Sequence, residues 1–424
     1  MLNLVAAFIG LTALLTYLNY RFVRLPPAIG VMATALVLSL GLHGLSALGY
    51  PLLELNMQQL IRSIDFSQVL MTWFLPALLF AGALHVNFRD LASYKISISF
   101  LATAGVLLST VVTAALAYYT FDLFGWHVSF LYCLLFGALI SPTDAIAVMG
   151  ILNNSGAPKP LQTIIVGESL FNDGTAVVLY SMVMGVLLSG ASPTLESVSW
   201  LFMQEAVGGV LFGLALGYGA YFLMRTVDNY QIVVMLTLAL VFAGAALSAQ
   251  INVSAPIVAV VGGLVVGNVG RRRAMSAETR RYVDGFWELI DSILNTLLFA
   301  LIGMELLLLP LSWPHVVAGL LLGAAVLVAR GLTVAPGIFA IRTLVKAGRR
   351  NLPTGAIRVL VWGGLRGGVS VALALSLPKG PERDLLLALT YIVVLVSILL
   401  QGMSMGILTR KLFGSGSAAT ADKG

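Results

Sequence analysis

Charged residues are scarce in this sequence: they make up only 10% of its 424 residues, whereas 59% are hydrophobic. About a quarter of the residues of a soluble domain are charged. The low charge and the mean hydropathy of +0.98 therefore exclude a soluble domain. A single cysteine, Cys133, excludes an internal disulfide. The sequence has no zinc-type Cys/His cluster, no P-loop and no dinucleotide-binding Gly fingerprint, which argues against a nucleotide-driven pump. We expect no cofactor, no nucleotide and no nucleic-acid partner.

Apolar runs long enough to cross a bilayer recur along the whole chain. They predict an all-α polytopic membrane protein of about 13 transmembrane helices joined by short loops. The first run has no basic residue before it and no small-residue cleavage site, so it predicts a span rather than a signal peptide. The Gly/Ser/Ala stretch at 414–424 is expected to be a disordered tail. The helices are predicted near 3–20, 27–48, 67–86, 95–121, 128–151, 161–190, 199–224, 229–249, 255–270, 285–309, 314–341, 352–377 and 384–408.

The basic residues test this count and predict an orientation. If the N-terminus is outside, nearly all basic loop residues fall on the cytoplasmic side, and only Arg62, Lys379 and Arg383 fall outside. This is the positive-inside bias of membrane proteins, and it also accounts for the net charge of +6. An odd number of spans then places the C-terminus in the cytoplasm.

Two predicted spans are interrupted by residues that break helices. The fifth contains GALISPTDAIAV (137–148), in which Pro142 and three polar residues interrupt the apolar run. The twelfth contains VWGGLRGGVSVAL (361–373), with four glycines and Arg366. Paired interruptions at matching places in two halves indicate the midplane site of a transporter. They predict two inverted six-helix repeats whose broken helices cross.

Five charged residues lie well inside predicted spans, where each costs about 2.5–3.5 kcal/mol on insertion scales. These residues are Asp144, Glu168, Asp173, Arg330 and Arg366. By contrast, we interpret Glu288, Asp291 and Glu305 in the tenth span as capping or snorkelling residues. We therefore expect the five central residues either to take part in the function or to form ion pairs that hold the helices together.

Helical spacing separates the two acids of GESLFNDGTAVVLY (167–180). Glu168 and Asn172 are four residues apart and share one face, and Ser169 and Asp173 share the adjacent face. Arg366 is permanently charged and needs a counter-ion at depth, so we predict a structural ion bridge between Glu168 and Arg366. The role of Arg330 is left open. Asp173 is then left with a hydroxyl neighbour and no cation of its own.

A carboxylate without a cation in lipid binds a proton or a metal ion, because burial disfavours the free anion. Oxygen ligands suit a hard cation, and the carbonyls of a broken helix near Thr143 can add more. The empty anion crosses a hydrophobic barrier at high cost, whereas the neutral loaded forms cross it readily. Competition of two ligands for Asp173 therefore predicts an exchanger rather than an enzyme. Each load carries one positive charge, so the exchange is predicted to be electroneutral.

Four motifs in order resemble the NhaP-type branch of the cation/proton antiporters, which is related to the eukaryotic sodium/proton exchangers. They are SPTDAIAV, GESLFNDGTAVVLY, FWELIDSILNTLLFALIGMEL (286–306) and WGGLRGGV. The resemblance covers nearly the whole chain. It implies a homodimer in a bacterial plasma membrane, with crossed broken helices and a core domain that moves as an elevator.

The resemblance also assigns roles to residues and segments. Asp173 would bind Na⁺ (with Li⁺ accepted) or H⁺, Ser169 would be an ion ligand, Thr143 would offer its main-chain oxygen, and Asp144 would stand beside it. Asn172 would occupy the position of a second acid in electrogenic relatives. The implied segments are a dimerisation domain at 1–94 and 229–309, a core transport domain at 95–190 and 310–413, and a linking helix at 191–228.

One departure from the family pattern leaves the transported cation open. Relatives often carry an acid in a run resembling LPPLLFEAAL, whereas this chain has LPALLFAGAL (75–84), with Ala81 at the acid's position. Water or Asp144 would then have to replace the missing ligand. The alternatives are K⁺/H⁺ exchange, a passive cation channel, and an intramembrane enzyme that uses Asp144 and Asp173 as an acid/base pair.

Overall fold

A computed structural model describes most of the chain, and its described part is helical, with no strand. The described residues are 2–50, 52, 54–55, 57–58, 66–153, 155–189, 195–309, 312–344, 352–353 and 355–413. The predicted disordered tail at 414–424 and the loop residue Arg62 lie outside them.

Fifteen helical segments organise the described residues. They are α1 Leu2–Leu18, α2 Pro27–Ala47, α3 Leu70–His85, α4 Lys95–Leu123, α5 Phe130–Ile140, α6 Ala145–Leu152, α7 Lys159–Ser189, α8 Ser199–Met224, α9 Tyr230–Gln250, α10 Ala255–Val265, α11 Ala277–Glu305, α12 Trp313–Leu344, α13 Ala356–Trp362, α14 Gly368–Leu375 and α15 Pro381–Phe413. The short pieces Asn19–Val23, Phe66–Val69, Phe88–Ser93, Val266–Gly270 and Arg271–Arg273 adjoin or connect them.

The helix pattern agrees with a multi-pass membrane protein. Nine helices among the described residues are long and apolar enough to cross a membrane. If α5–α6 and α13–α14 each count as one interrupted span, the described segments are consistent with the thirteen predicted spans. The tenth predicted span begins about two turns early, at Ala277, because the Oγ of Ser276 accepts the Thr279 N–H and caps α11.

The helices pack in two groups. The first group is α4 to α7 with α12 to α15, called here the broken-helix bundle: α4 packs on α5 and α12, α7 on α4 and α5, and α15 on α12 and α14. The second group is α1 to α3 with α8 to α11, called here the outer bundle: α10 packs on α3, α8 and α9, and α11 on α2 and α3. Fewer contacts join the two bundles, chiefly between α7 and α10.

Both interruptions predicted from the sequence are present. The first separates α5 from α6 at Ser141 to Asp144, where Pro142 provides no N–H for a continuing helix. The second separates α13 from α14 at Gly363 to Gly367. Each leaves a short non-helical stretch between two half-helices, which exposes backbone groups that a continuous helix would pair internally.

Small residues let α4 and α5 approach closely beside the first interruption. Gly137 lies on α5 so near to α4 that a Cβ would overlap the carbonyl oxygen of Thr110. Next to it, the hydroxyl groups of Thr110 and Ser141 share a hydrogen bond of 2.9 Å. The close approach therefore fixes the position of the α5 end that leads into the break.

Replacing Gly137 by alanine should destabilise the protein, because the obstacle is backbone rather than a flexible side chain. Overpacking of this kind costs about 1–3 kcal/mol, so the melting temperature in detergent should fall. Gly185→Ala is the matched control, since no atom lies within 4 Å of a Cβ at that position on α7. The control should melt at or above the wild-type temperature. Equal melting of both variants would contradict the close packing of α4 and α5.

Candidate ion-binding site

A cavity of about 290 Å³ lies between the two bundles, beside both interruptions. The broken-helix bundle contributes Thr143, Asp144, Ser169, Asp173 and Ser370 to its wall, and the outer bundle contributes side chains of α3 and α11. The structure therefore brings together four of the predicted site residues. Much of the remaining wall is aliphatic, as is typical of small-ligand sites.

The two interruptions are joined through their backbones. The N–H of Asp144, in the first break, donates to the carbonyl oxygen of Leu365, in the second, at 2.7 Å. The N–H of Arg366 donates to Ser397 Oγ at 3.0 Å. Backbone groups that a continuous helix would have paired are thus satisfied across the crossing, as lipid requires.

Charged side chains from each break lie at the helix end of the other. The Arg366 guanidinium donates to the carbonyl oxygens of Ile140, Ser141 and Pro142, at the C-terminal end of α5. The Asp144 carboxylate lies against Gly367, which precedes α14, so closely that a Cβ there would overlap it. A cation at a helix C-terminus and an anion at an N-terminus are both stabilised by the helix dipole.

The ion bridge predicted between Glu168 and Arg366 is wrong in its partner. Glu168 forms a two-pronged pair with Arg330 on α12, with Nη1–Oε1 at 2.7 Å and Nη2–Oε2 at 3.1 Å. Arg330 also donates through Nε to the Leu360 carbonyl oxygen at 3.0 Å. Arg366 is instead held by the free carbonyl groups at the end of α5, which take the place of a carboxylate. The role left open for Arg330 is therefore to tie α7, α12 and α13 together.

Asp173 has the environment expected of it. It lines the cavity and is only 9% exposed. Among the described residues, no hydrogen bond reaches its carboxylate and no Lys, Arg or His lies within 4.0 Å of it. Its closest electrostatic neighbour is another acid, Asp144. Asp173 is thus a nearly buried carboxylate without a counter-ion from the described chain.

The polar neighbours of Asp173 are ordered by the first break. Ser169 Oγ accepts the N–H of Ala145, the first residue of α6, at 3.0 Å. Asn172 donates through Nδ2 to Thr143 Oγ1 at 2.8 Å and is fully buried. The Oδ1 atom of Asn172 has no hydrogen-bond partner among the described residues. These two contacts bind α7 to the break and fix the face that carries Asp173.

The outer bundle provides acidic and amide groups that the sequence analysis did not select. Asp291 and Asn295, on α11, line the same cavity as Asp173. Asp291, expected from the sequence to be a capping or snorkelling residue, lies in the middle of α11 and faces the cavity. Its spacing of four residues from Asn295 was the available signal, because residues i and i+4 share a helix face.

The cavity face of α3 differs from the one expected from the family pattern. Leu75, Leu78, Leu79 and Gly82 line the cavity, whereas Ala81 is 1% exposed and is not among the lining residues. Ala81 therefore stands beside the cavity face and not on it. The expectation that the ion loses a ligand at Ala81 stays a prediction.

The oxygen donors of the site suit a hard cation. Among the described residues, no group of three or more His, Cys, Asp or Glu side chains is placed to hold a metal ion. An ion at Asp173 would have one carboxylate, with hydroxyl and carbonyl oxygens for the remaining ligands. Such oxygen ligands suit hard cations.

The Glu168–Arg330 pair makes a strong prediction about stability. Removing one partner of a buried ion pair costs about 3–5 kcal/mol, because the other charge is left uncompensated. Arg330→Ala should therefore lower the melting temperature sharply, whereas Arg410→Ala, at an exposed arginine, should not. Melting temperatures in detergent would check this.

A double-mutant cycle identifies the partner of Glu168 directly. The coupling energy between Glu168→Gln and Arg330→Gln should exceed that between Glu168→Gln and Arg366→Gln, since only Arg330 contacts the carboxylate. A larger coupling energy with Arg366 than with Arg330 would instead support the Glu168–Arg366 pair expected from the sequence.

The chain is similar to known proteins over nearly its whole length. A family model described as "Sodium/hydrogen exchanger, transmembrane" matches residues 10–411. The chain is 69% identical over 413 residues to the Na(+)/H(+) antiporter NhaP of Pseudomonas aeruginosa, covering 97% of each chain. It is 35% identical over 399 residues to the Na(+)/H(+) antiporter NhaH of Halobacillus dabanensis, covering 92% of this chain and 93% of that one.

A solved structure shares the fold. The sodium proton antiporter MjNhaP1 from Methanocaldococcus jannaschii at pH 8 superposes with a TM-score of 0.75 at 17% identity, covering 97% of this chain and 98% of the other. The resemblance noted on four sequence motifs is thereby confirmed. Both the family match and the 69% identity extend over nearly the whole chain, and the chain belongs to the sodium/hydrogen exchanger family.

Proposed function

We propose that this protein exchanges Na⁺ for H⁺ across a bacterial plasma membrane, with Asp173 binding either ion in turn. The observation that carries the proposal is the nearly buried Asp173 carboxylate, which faces a cavity between two bundles and has no cation partner among the described residues. Relatives named as Na⁺/H⁺ antiporters support sodium as the cation. We expect Li⁺ to be accepted alongside it.

The exchange follows from the cost of moving a charge out of water. The free Asp173 anion resists passage through an apolar seal, whereas a proton or a monovalent cation neutralises it. The two ligands compete for one carboxylate. The site therefore crosses the membrane with a cation or a proton bound, in either direction, and only rarely with neither. A continuous channel would instead bypass this competition, so one nearly buried cavity acid without a cation partner among the described residues favours exchange.

The ligands of the cation are proposed from the same cavity wall. Asp173 would supply a carboxylate oxygen, Ser169 its hydroxyl oxygen and Thr143 its main-chain oxygen. The Thr143 hydroxyl is not chosen because it already accepts a hydrogen bond from Asn172 Nδ2. Asp144 would adjust the local charge from beside the helix end. Asn172 is neutral, so one acid carries one charge in each direction and the exchange is electroneutral.

The proposed movement is a displacement of the broken-helix bundle against the outer bundle. It is supported by the location of the cavity between them and by the sparse contacts that join them. The broken-helix bundle corresponds to the segments 95–190 and 310–413 and would carry Asp173. The outer bundle, which exposes large apolar side chains such as Tyr17 and Leu211, would stay fixed in a homodimer. Basic loop residues favour an external N-terminus and a cytoplasmic C-terminus.

Purified protein in liposomes with a pH-sensitive dye inside tests the exchange. Adding Na⁺ or Li⁺ outside should alkalinise the lumen, because protons leave as the cation enters, and choline should have no effect. Clamping the voltage with K⁺ and valinomycin should leave the Na⁺ rate unchanged. Proton movement with K⁺ alone would assign potassium exchange instead. Absence of proton movement with every cation would overturn the proposal.

Asp173→Asn should reduce the Na⁺-driven proton flux to that of empty liposomes. The amide is neutral without a ligand, so nothing remains for a cation and a proton to exchange. Asp122→Asn is the control, since Asp122 is an exposed acid outside the cavity wall, and it should retain the wild-type rate. Size-exclusion profiles would verify that both variants fold. A folded Asp173→Asn variant with normal flux would remove Asp173 from the mechanism.

A further inference from the structure

A second group of oxygen atoms in the cavity lies on α11, opposite the residues of the broken-helix bundle. Asn295 is 6% exposed and donates through Nδ2 to the main-chain oxygen of Asp291 at 2.8 Å and to its Oδ1 at 3.1 Å. This arrangement fixes the Asp291 carboxylate on the cavity wall without neutralising it. Among the described residues, no Lys, Arg or His forms an ion pair with Asp291.

The charge of the cavity wall favours a cation. Three carboxylates, those of Asp144, Asp173 and Asp291, line it, and none of its described lining residues is basic. A cleft with one sign of charge and apolar walls raises the local concentration of the opposite ion. Three charged groups act electrostatically on Asp291: Asp144 acts most strongly, then His85 at the end of α3, and Glu288 least.

Unpaired polar atoms point to a ligand independently of these charges. Ser370, on the first turn of α14, lines the cavity and is fully buried, and its Oγ has no hydrogen-bond partner among the described residues. Asp173 likewise is nearly buried and without a hydrogen bond. Buried polar atoms in proteins almost always have a partner, so such atoms in a cavity indicate bound water or an ion.

The three acids differ in exposure. Asp144 interacts electrostatically with both Asp173 and Asp291. Asp291 is partly exposed, whereas Asp173 is nearly buried. An ion that enters the cavity therefore meets Asp291 before it reaches Asp173.

We propose that Asp291, oriented by Asn295, forms a second position for monovalent cations, at which the ion binds before it passes to Asp173. This inference rests on the proposed function but assigns a site on the other bundle. The ligands are the Asp291 carboxylate and the Asn295 amide oxygen, with water completing the shell. Because Asp291 belongs to the outer bundle, it concentrates cations at the cavity without travelling with the ion.

Transport kinetics in liposomes test this assignment. Asp291→Asn keeps the acceptor for Asn295 and removes the charge, so it should raise the KM for Na⁺ and for Li⁺ about fivefold, in line with a partly exposed charge interaction of about 1 kcal/mol. The kcat should be unchanged, since Asp173 still performs the exchange. Glu288→Gln is the matched control: it removes an exposed acid from the same helix, outside the cavity lining, and should leave KM unchanged. Asp291→Glu should restore a low KM.

Direct binding separates this proposal from the proposed function. Radioactive ²²Na⁺ should bind weakly to purified Asp173→Asn protein, bind no longer to Asp173→Asn/Asp291→Asn, and bind as before to Asp173→Asn/Glu288→Gln. Equal binding by the single variant and both double variants would overturn the second position while leaving exchange at Asp173 intact. A similar rise of KM in Asp291→Asn and Glu288→Gln would also overturn it, in favour of general surface charge. Should Asp291→Asn not fold, Asn295→Ala, which removes the orienting donor, should raise KM in the same direction, and an unchanged KM would refute the site.

Discussion

The crossing of the two interrupted spans is the constraint on which the rest of the structure depends. A helix that stops inside a membrane leaves backbone groups unpaired, at a cost of several kcal/mol each. Here each break relieves the other: the Asp144 N–H bonds the Leu365 carbonyl oxygen, and Arg366 covers the carbonyl end of α5. The glycines of the second break are needed for this approach, because a Cβ at Gly364 would overlap the Arg330 guanidinium, and one at Gly367 would overlap the Asp144 carboxylate. As a result, the polar groups of the two breaks lie in the interior of the bundle, where continuous helices would present apolar side chains.

Several buried charges hold the fold, whereas the Asp173 carboxylate faces the cavity without a cation partner among the described residues. Arg330 and Glu168 neutralise each other at distances of 2.7 and 3.1 Å, and they join three helices of the broken-helix bundle. Arg366 and Asp144 are each placed at a helix end of complementary polarity. Asp173 has neither compensation. Because the Asp173 carboxylate faces the cavity without either compensation, a cation and a proton are proposed to compete for it.

The sequence predicted the fold well because its signals are local. Apolar runs of spanning length mark the helices, and Pro142 and the glycines around Arg366 mark the breaks, since each acts on its own backbone. Asp173 and its neighbours were predictable because they share one helix. The partner of Glu168 was not, since Arg330 and Arg366 both lie at depth and only the packing of α12 on its neighbours brings Arg330 to the carboxylate. Asp291 was missed for a related reason: the position of an acid along a helix does not reveal which bundle it faces.

A site assembled from two bundles has a consequence that a site within one bundle would not have. Asp173, Ser169 and Thr143 belong to the broken-helix bundle, whereas Asp291 and Asn295 belong to the outer bundle. If the bundles shift relative to one another as proposed, the first set moves with the ion and the second does not. Electrostatic attraction by Asp291 then acts only while the cavity is in the arrangement described here, and it weakens as the bundles separate the acids. In the proposed mechanism, the cation is captured with the help of both bundles and is carried by one. Departure of the ion on the far side is then not opposed by the charge that assisted its entry.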